Sequence, residues 1–146
     1  MVRDDTGMWL IGFSRSIGRT NSFAAELWGL REALLLCSNL NINALEVELD
    51  AKSIVDALGN PLYGNIVISP LLDDCKLLIF RIPQVCIKHC FRQANRCADS
   101  LARMSYCLDA DFSTFDSSPV DLVDVVEDDL YGMGCNRVFS ENVAVS

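Results

Sequence analysis

The chain has 146 residues, 51% of them hydrophobic, which suffices for one buried core and is too short for two full domains. Its formal net charge of −8 opposes strong non-specific attraction to nucleic acid, because phosphate neutralisation by Lys and Arg dominates that affinity. No run reaches the roughly 18 apolar residues of a membrane span. Arg3, Asp4 and Asp5 stand where a signal peptide would carry its apolar region, so an intracellular protein of nucleus or cytoplasm, without membrane contact, is expected.

Asp4-Asp5-Thr6-Gly7 has turn chemistry, and the large apolar residues from Met8 to Phe13 predict a strand after it, with Met1 to Arg3 a stub before it. Asn21 or Ser22 can cap a helix running to about Cys37, because Phe23, Leu27, Leu30 and Leu34 recur at helical spacing. Glu26 borders that stripe instead of lying on the opposite face, where a surface helix usually keeps its acids. Leu45, Val47 and Leu49 alternate with Glu46 and Glu48, the period of a half-buried strand that ends at Asp50.

Ala51 to Leu58 predicts a short helix, stopped by Gly59-Asn60-Pro61, and a loop through Ile68 leads to Ser69-Pro70, the start of another. Leu71, Cys75, Leu78 and Ile79 form the stripe of that helix. Val85, Ile87, His89 and Phe91 form one face of a strand, which makes His89 a structural residue of the sheet face. Asn95 can cap a last helix with the stripe Cys97, Leu101, Met104 and Leu108.

This order of strands and helices predicts an α/β sheet with helical crossovers, whose chemistry gathers beyond the carboxyl ends of the strands. Residues 1–108 form the expected domain. Beyond it, residues 109–130 carry Asp109, Asp111, Asp116, Asp121, Asp124, Glu127, Asp128 and Asp129 without Lys or Arg, and Pro119 to Asp129 predicts a short helix. Residues 109–146 are therefore expected as an acidic tail, partly helical or disordered, that offers a surface to a protein partner. The seven cysteines include no C-x-x-C pair among Cys86, Cys90, Cys97 and Cys107, and are expected as reduced core thiols.

Three acids fall where such a fold can gather them: Glu26 on the first helix, Asp50 at a strand end and Asp99 early in the last helix. Carboxylates brought together repel one another, and a divalent cation stabilises them. A pair of Mg²⁺ ions about 4 Å apart, held in this way, activates water and stabilises the leaving oxygen in phosphodiester hydrolysis. Each acid also has a plainer role open to it: Asp50 as a helix cap, Glu26 paired with an arginine, Asp99 as a first-turn acid favoured by the helix dipole.

The segments TNSFAAELWGLREALLL (Thr20 to Leu36), LEVELDAKSIVDAL (Leu45 to Leu58) and IKHCFRQANRCADSLAR (Ile87 to Arg103) resemble, in order and spacing, the ribonuclease H-like domains abundant in plants and related to retroelement reverse transcriptases. The resemblance implies a three-layer α/β/α fold with a mixed sheet. It also implies that Glu26, Asp50 and Asp99 are catalytic residues and Mg²⁺ ligands for cutting the RNA strand of an RNA/DNA hybrid. The family's remaining acid lies on a first, central strand. Here Met1-Val2-Arg3 aligns with the end of the family's second strand, so the first strand and its acid are expected to be missing.

Asp4 and Asp5 lie in a turn and do not take that acid's place. An incomplete metal site with weakened or lost hydrolysis is the expectation, and a catalytically inert module binding nucleic acid or protein is the alternative. Without a central strand the sheet exposes backbone donors and acceptors. Truncation, a strand recruited from a partner, or a different pairing of the remaining strands would each account for that.

Overall fold

The computed structural model describes residues 1–60, 69–92, 95–108, 110–130 and 143–145. The expected loop from Pro61 to Ile68, residues 93 and 94 of the loop before the last helix, Asp109 of the acidic run and Cys135 lie outside the described residues.

The chain opens with β1 (Val2–Arg3) and β2 (Trp9–Arg15), which pair antiparallel across the expected turn. Asp4 builds that turn: its carboxylate accepts from Thr6 N at 3.0 Å, Thr6 Oγ1 at 2.7 Å and Met8 N at 2.8 Å. Gly7 supplies the positive φ of 85° that closes it. The hydroxyl of Thr6, followed by these backbone donors, lowers the pKa of Asp4. Its carboxylate is thereby committed to the turn.

Helix α1 (Ser22–Asn39) is capped by Asn21, whose side chain accepts from Ala24 N at 2.8 Å. It buries Leu27, Leu30, Ala33, Leu34 and Cys37. Then follow β3 (Ala44–Leu49), α2 (Lys52–Gly59), α3 (Ser69–Arg81), β4 (Gln84–His89) and α4 (Arg96–Met104). Helix α3 buries Leu72, Cys75 and Leu78, whereas Leu71 and Ile79 of the expected stripe are half-buried. Strand β4 stops at His89, so Phe91 is not a strand residue and is 70% exposed. Leu108 likewise lies beyond the end of α4.

Two buried clusters flank the sheet. The larger joins Val2, Leu45, Val47 and Leu49 with α1, α2 and α3, and Ile11 and Phe13 of β2 pack against it. The smaller joins Met1, Cys97, Leu101, Leu122 and Val126. Ser14 lies one residue beyond Phe13, so it faces the other side of the sheet. There its hydroxyl donates to the Leu101 carbonyl at 2.8 Å, which places α4 opposite α1. The result is the expected three-layer mixed α/β arrangement.

The acidic segment is more structured than expected. It contributes β5 (Phe112–Phe115), antiparallel to β2, then a 3-10 turn (Val120–Leu122) and α5 (Val123–Leu130), close to the helix expected there. Leu122 and Val126 are buried, and Arg96 reaches Asp128 at 3.2 Å, tying α5 to α4. Gly12 is needed beneath the Trp9 ring, which leaves no room for a Cβ and donates its Nε1–H to the Phe115 carbonyl at 3.0 Å.

The sheet order is β4-β3-β6-β1-β2-β5, where β6 is Val143–Val145. Strand β6 runs parallel to β3 and antiparallel to β1, with Val145 opposite both Val47 and Val2. The place between β1 and β3, expected to be vacant, is therefore taken by residues from the far end of the chain. A strand of the chain's own thus pairs with the inner edges of β1 and β3.

The expectation that all cysteines are core thiols is corrected in part. Cys37, Cys75 and Cys97 are buried, whereas Cys86 and Cys107 are exposed. Burial pushes the Cys37 and Cys75 thiols up to about 11 and about 12, so both stay protonated. Cys86 is exposed because it alternates with Val85 and Ile87 on β4, and Cys107 because α4 has already ended.

Candidate functional site

Glu26 lies in the second turn of α1, Asp50 directly follows the last residue of β3, and Asp99 is in the first turn of α4. Since α1 and α4 pack on opposite faces, the end of β3 is where acids from all three elements can meet. The Glu26 carboxyl records the meeting: its pKa is pushed up to about 7, first by burial, then by the charges of Asp50 and Asp99, with Arg92 acting in the opposite direction. The three predicted residues thus share one electrostatic neighbourhood.

The cluster is open. Among the described residues no group of three or more His, Cys, Asp or Glu side chains stands close enough to hold a metal ion. Their carboxylate oxygens are the hard donors that Mg²⁺ prefers, but Mg²⁺ demands near-ideal octahedral geometry. The donor chemistry fits the ion; the spacing does not yet form a grip.

The plainer roles fare differently. The N-cap of α2 is Ala51, with no side-chain cap bond, so Asp50 is not the cap. The Asp50 carbonyl instead faces His89 Nε2 at 3.2 Å, and because a carbonyl only accepts, that nitrogen carries the proton. His89 is exposed and edge-on to Phe91 at 5.8 Å, consistent with a structural role at the strand end. No ion pair includes Glu26 among the described residues, so its arginine partner is not found. Asp99 does occupy the first turn of its helix, and Arg92 Nε lies 3.7 Å from its Oδ2.

Two further features escape sequence reasoning. Asn95 occupies the N-cap position of α4 but makes no side-chain cap bond; it is 6% exposed and its Oδ1 has no hydrogen-bond partner among the described residues. Beside the acids, Trp28 lies under the Arg15 and Arg31 guanidinia at 4.9 and 5.4 Å. Both arginines reach the buried Glu32, at 2.6 and 3.1 Å. The i, i+4 spacing of Trp28 and Glu32 on one helix was the available signal, but Arg15 comes from another element.

A three-layer α/β domain in which acids on a helix, after a strand end and on a second helix share one electrostatic neighbourhood is the class that this geometry defines. The family model described as reverse transcriptase-like matches residues 1–105, and the chain belongs to that ribonuclease H-like family. It is 33% identical over 132 residues, 90% of its length, to the curated Arabidopsis thaliana protein "Putative ribonuclease H protein At1g65750". It spans 21%, about a fifth, of that relative's length. No solved structure matches the chain. No helix among the described residues is long and apolar enough to cross a membrane.

Proposed function

We propose that this chain is a ribonuclease H-like module that engages RNA/DNA hybrids through a weak Mg²⁺ site at Glu26, Asp50 and Asp99, with RNA-strand hydrolysis weakened or lost. The observation that carries this reading is the raised pKa of Glu26, which burial drives first and the charges of Asp50 and Asp99 drive further. A divalent cation relieves such repulsion, and when bound it supplies a polarised water and charge stabilisation for phosphodiester cleavage.

Weakening follows from what stands beside the acids. The strand between β1 and β3 has the sequence Val-Ala-Val and brings no carboxylate to the group. Arg92 also competes for Asp99. Positioning is most of what this catalysis consists of, and a grip short of ligands positions poorly.

The test is cleavage of an end-labelled RNA/DNA hybrid in Mg²⁺ by this chain and by Asp50→Asn. Slow cleavage that Asp50→Asn abolishes supports residual catalysis. Equal background rates in both reject it, and salt-dependent binding of the hybrid without cleavage then gives the second reading, an inert binding module. The −8 net charge argues against tight non-specific binding of the hybrid in either reading.

A further inference from the structure

Helix α1 carries two acids, Glu26 and Glu32. Their spacing sets them about 120° apart around the helix and about 9 Å apart along it. Glu26 meets the other candidate acids, whereas the Glu32 side chain is buried, with 8% of it exposed. Two arginines reach Glu32 from different elements. Arg15, the last residue of β2, donates from Nη1 to Glu32 Oε1 at 2.6 Å, and Arg31 donates to the same oxygen at 3.1 Å. Arg31 goes on to donate from Nε to Asp74 Oδ2 of α3 at 3.2 Å.

These bonds form a strap from β2 to α3 by way of α1. Both guanidinia rest against the Trp28 ring, and the attraction of an aromatic face for a cation limits where each can move. The buried stripe of Leu27, Leu30 and Leu34 attracts without direction, so it resists lifting the helix off the sheet more than turning it. Hydrogen-bonded ion pairs do have direction. A buried pair is a poor source of stability, because desolvation offsets the attraction, and fixing register is its better attested use.

We propose that Glu32 is a positioning residue, whose clamp by Arg15 and Arg31 sets the rotation of α1 and thereby holds Glu26 toward Asp50 and Asp99. The proposal rests on the reading of Glu26 as a residue of the candidate site. Glu26 turns with the helix that carries it, so a device that fixes the rotation of α1 fixes the direction of Glu26. The strap is suited to this because it pulls on the helix from two sides, through β2 on one and α3 on the other. An acid buried for packing alone would need one cation; Glu32 has two, and the second is itself anchored on α3.

The test uses the full chain, ¹⁵N-labelled and without added metal, as wild type, Arg15→Gln and Arg15→Lys. Residual dipolar couplings of the α1 amides, fitted in the frame of β3 and β4, report the rotation of the helix. Arg15→Gln should change these couplings and shift the amide resonances of Asp50 and Asp99, which lie on elements that take no part in the clamp. Arg15→Lys restores a cation and should return both to the wild-type values. A lower urea midpoint with couplings and resonances unmoved overturns the proposal, since it leaves Glu32 a stabilising role alone. Changes that Arg15→Lys does not reverse overturn it as well. Should Arg15→Gln not fold, Asp74→Asn decides: it opens the strap at an exposed carboxylate, and should move the same resonances in the same direction by less, unmoved resonances overturning the proposal. Neither binding nor cleavage of the hybrid is read in any arm, so failure here is distinct from failure of the proposed function.

Discussion

Arg92 Nε stands 3.7 Å from Asp99 Oδ2, so the last acid of the cluster already has a cation beside it. Arg92 also opposes the rise in the Glu26 pKa. One loop arginine therefore moderates the repulsion that a metal ion would otherwise relieve. Arg92 is 80% exposed, and an arginine so solvated is readily displaced.

Replacing Arg92 by alanine should tighten Mg²⁺ binding. The expected gain is about twofold to fivefold, the scale of an exposed ion pair. Titration with Mg²⁺ followed by NMR shifts of the Asp99 and Glu26 amides measures it. Unchanged or weaker binding would show that Arg92 does not compete for the acids.

Glu26 should give the stability a falling pH dependence. Its folded pKa of about 7 lies above the ordinary 4.5, so the folded chain keeps a proton that the unfolded chain has released. Stability therefore declines as pH rises from about 4.5 through about 7 and levels off beyond. Fully buried, the shift would cost about 3 kcal/mol; water around the half-buried side chain lowers this to about 1–2 kcal/mol. Urea unfolding at pH 5, 7 and 8.5 reads the decline, and Glu26→Gln should remove it and be the more stable protein at pH 8.5.

Ala144→Pro should loosen the middle of the sheet. Ala144 is in register with Arg3 on one side and Glu46 on the other, and proline removes a ladder hydrogen bond and fits poorly inside a sheet. A loss of about 2–3 kcal/mol is expected, with faster amide exchange at Val2 and Val47. Unaltered exchange at both would mean that β6 does not hold the inner rows together.

Leu34→Ala tests the larger cluster. Leu34 is fully buried on α1 within the contacts that join this helix to the sheet and α3. The expected cost is about 2–5 kcal/mol, read as a lower urea midpoint at unchanged slope. A smaller loss would mean that the helix closes over the cavity.

Local patterning carried most of the elements. The spacing of Leu27, Leu30 and Leu34 gave α1, and the alternation of Leu45, Val47 and Leu49 gave β3. Asn21 capped as its chemistry suggested, because a cap depends on residues within one turn. The errors came where a side chain answers to distant neighbours. Phe91 continues the alternation of β4 yet lies outside it, and Asn95 has the type of a cap but a buried carbonyl oxygen that caps nothing. The triplet Val143-Ala144-Val145 has strand-forming valines, but nothing local says which gap it enters.

The sequence by itself determined the periodicities, the turn at Asp4 and the three candidate acids, since these rest on residue type and short spacing. Only the tertiary structure decided that Glu26 feels both Asp50 and Asp99, that Arg92 stands against Asp99, and that β6 enters the sheet between β1 and β3. The reason is physical: hydrophobic period and capping act over a few residues, whereas charge coupling and strand pairing depend on distances in space that only the packed chain sets.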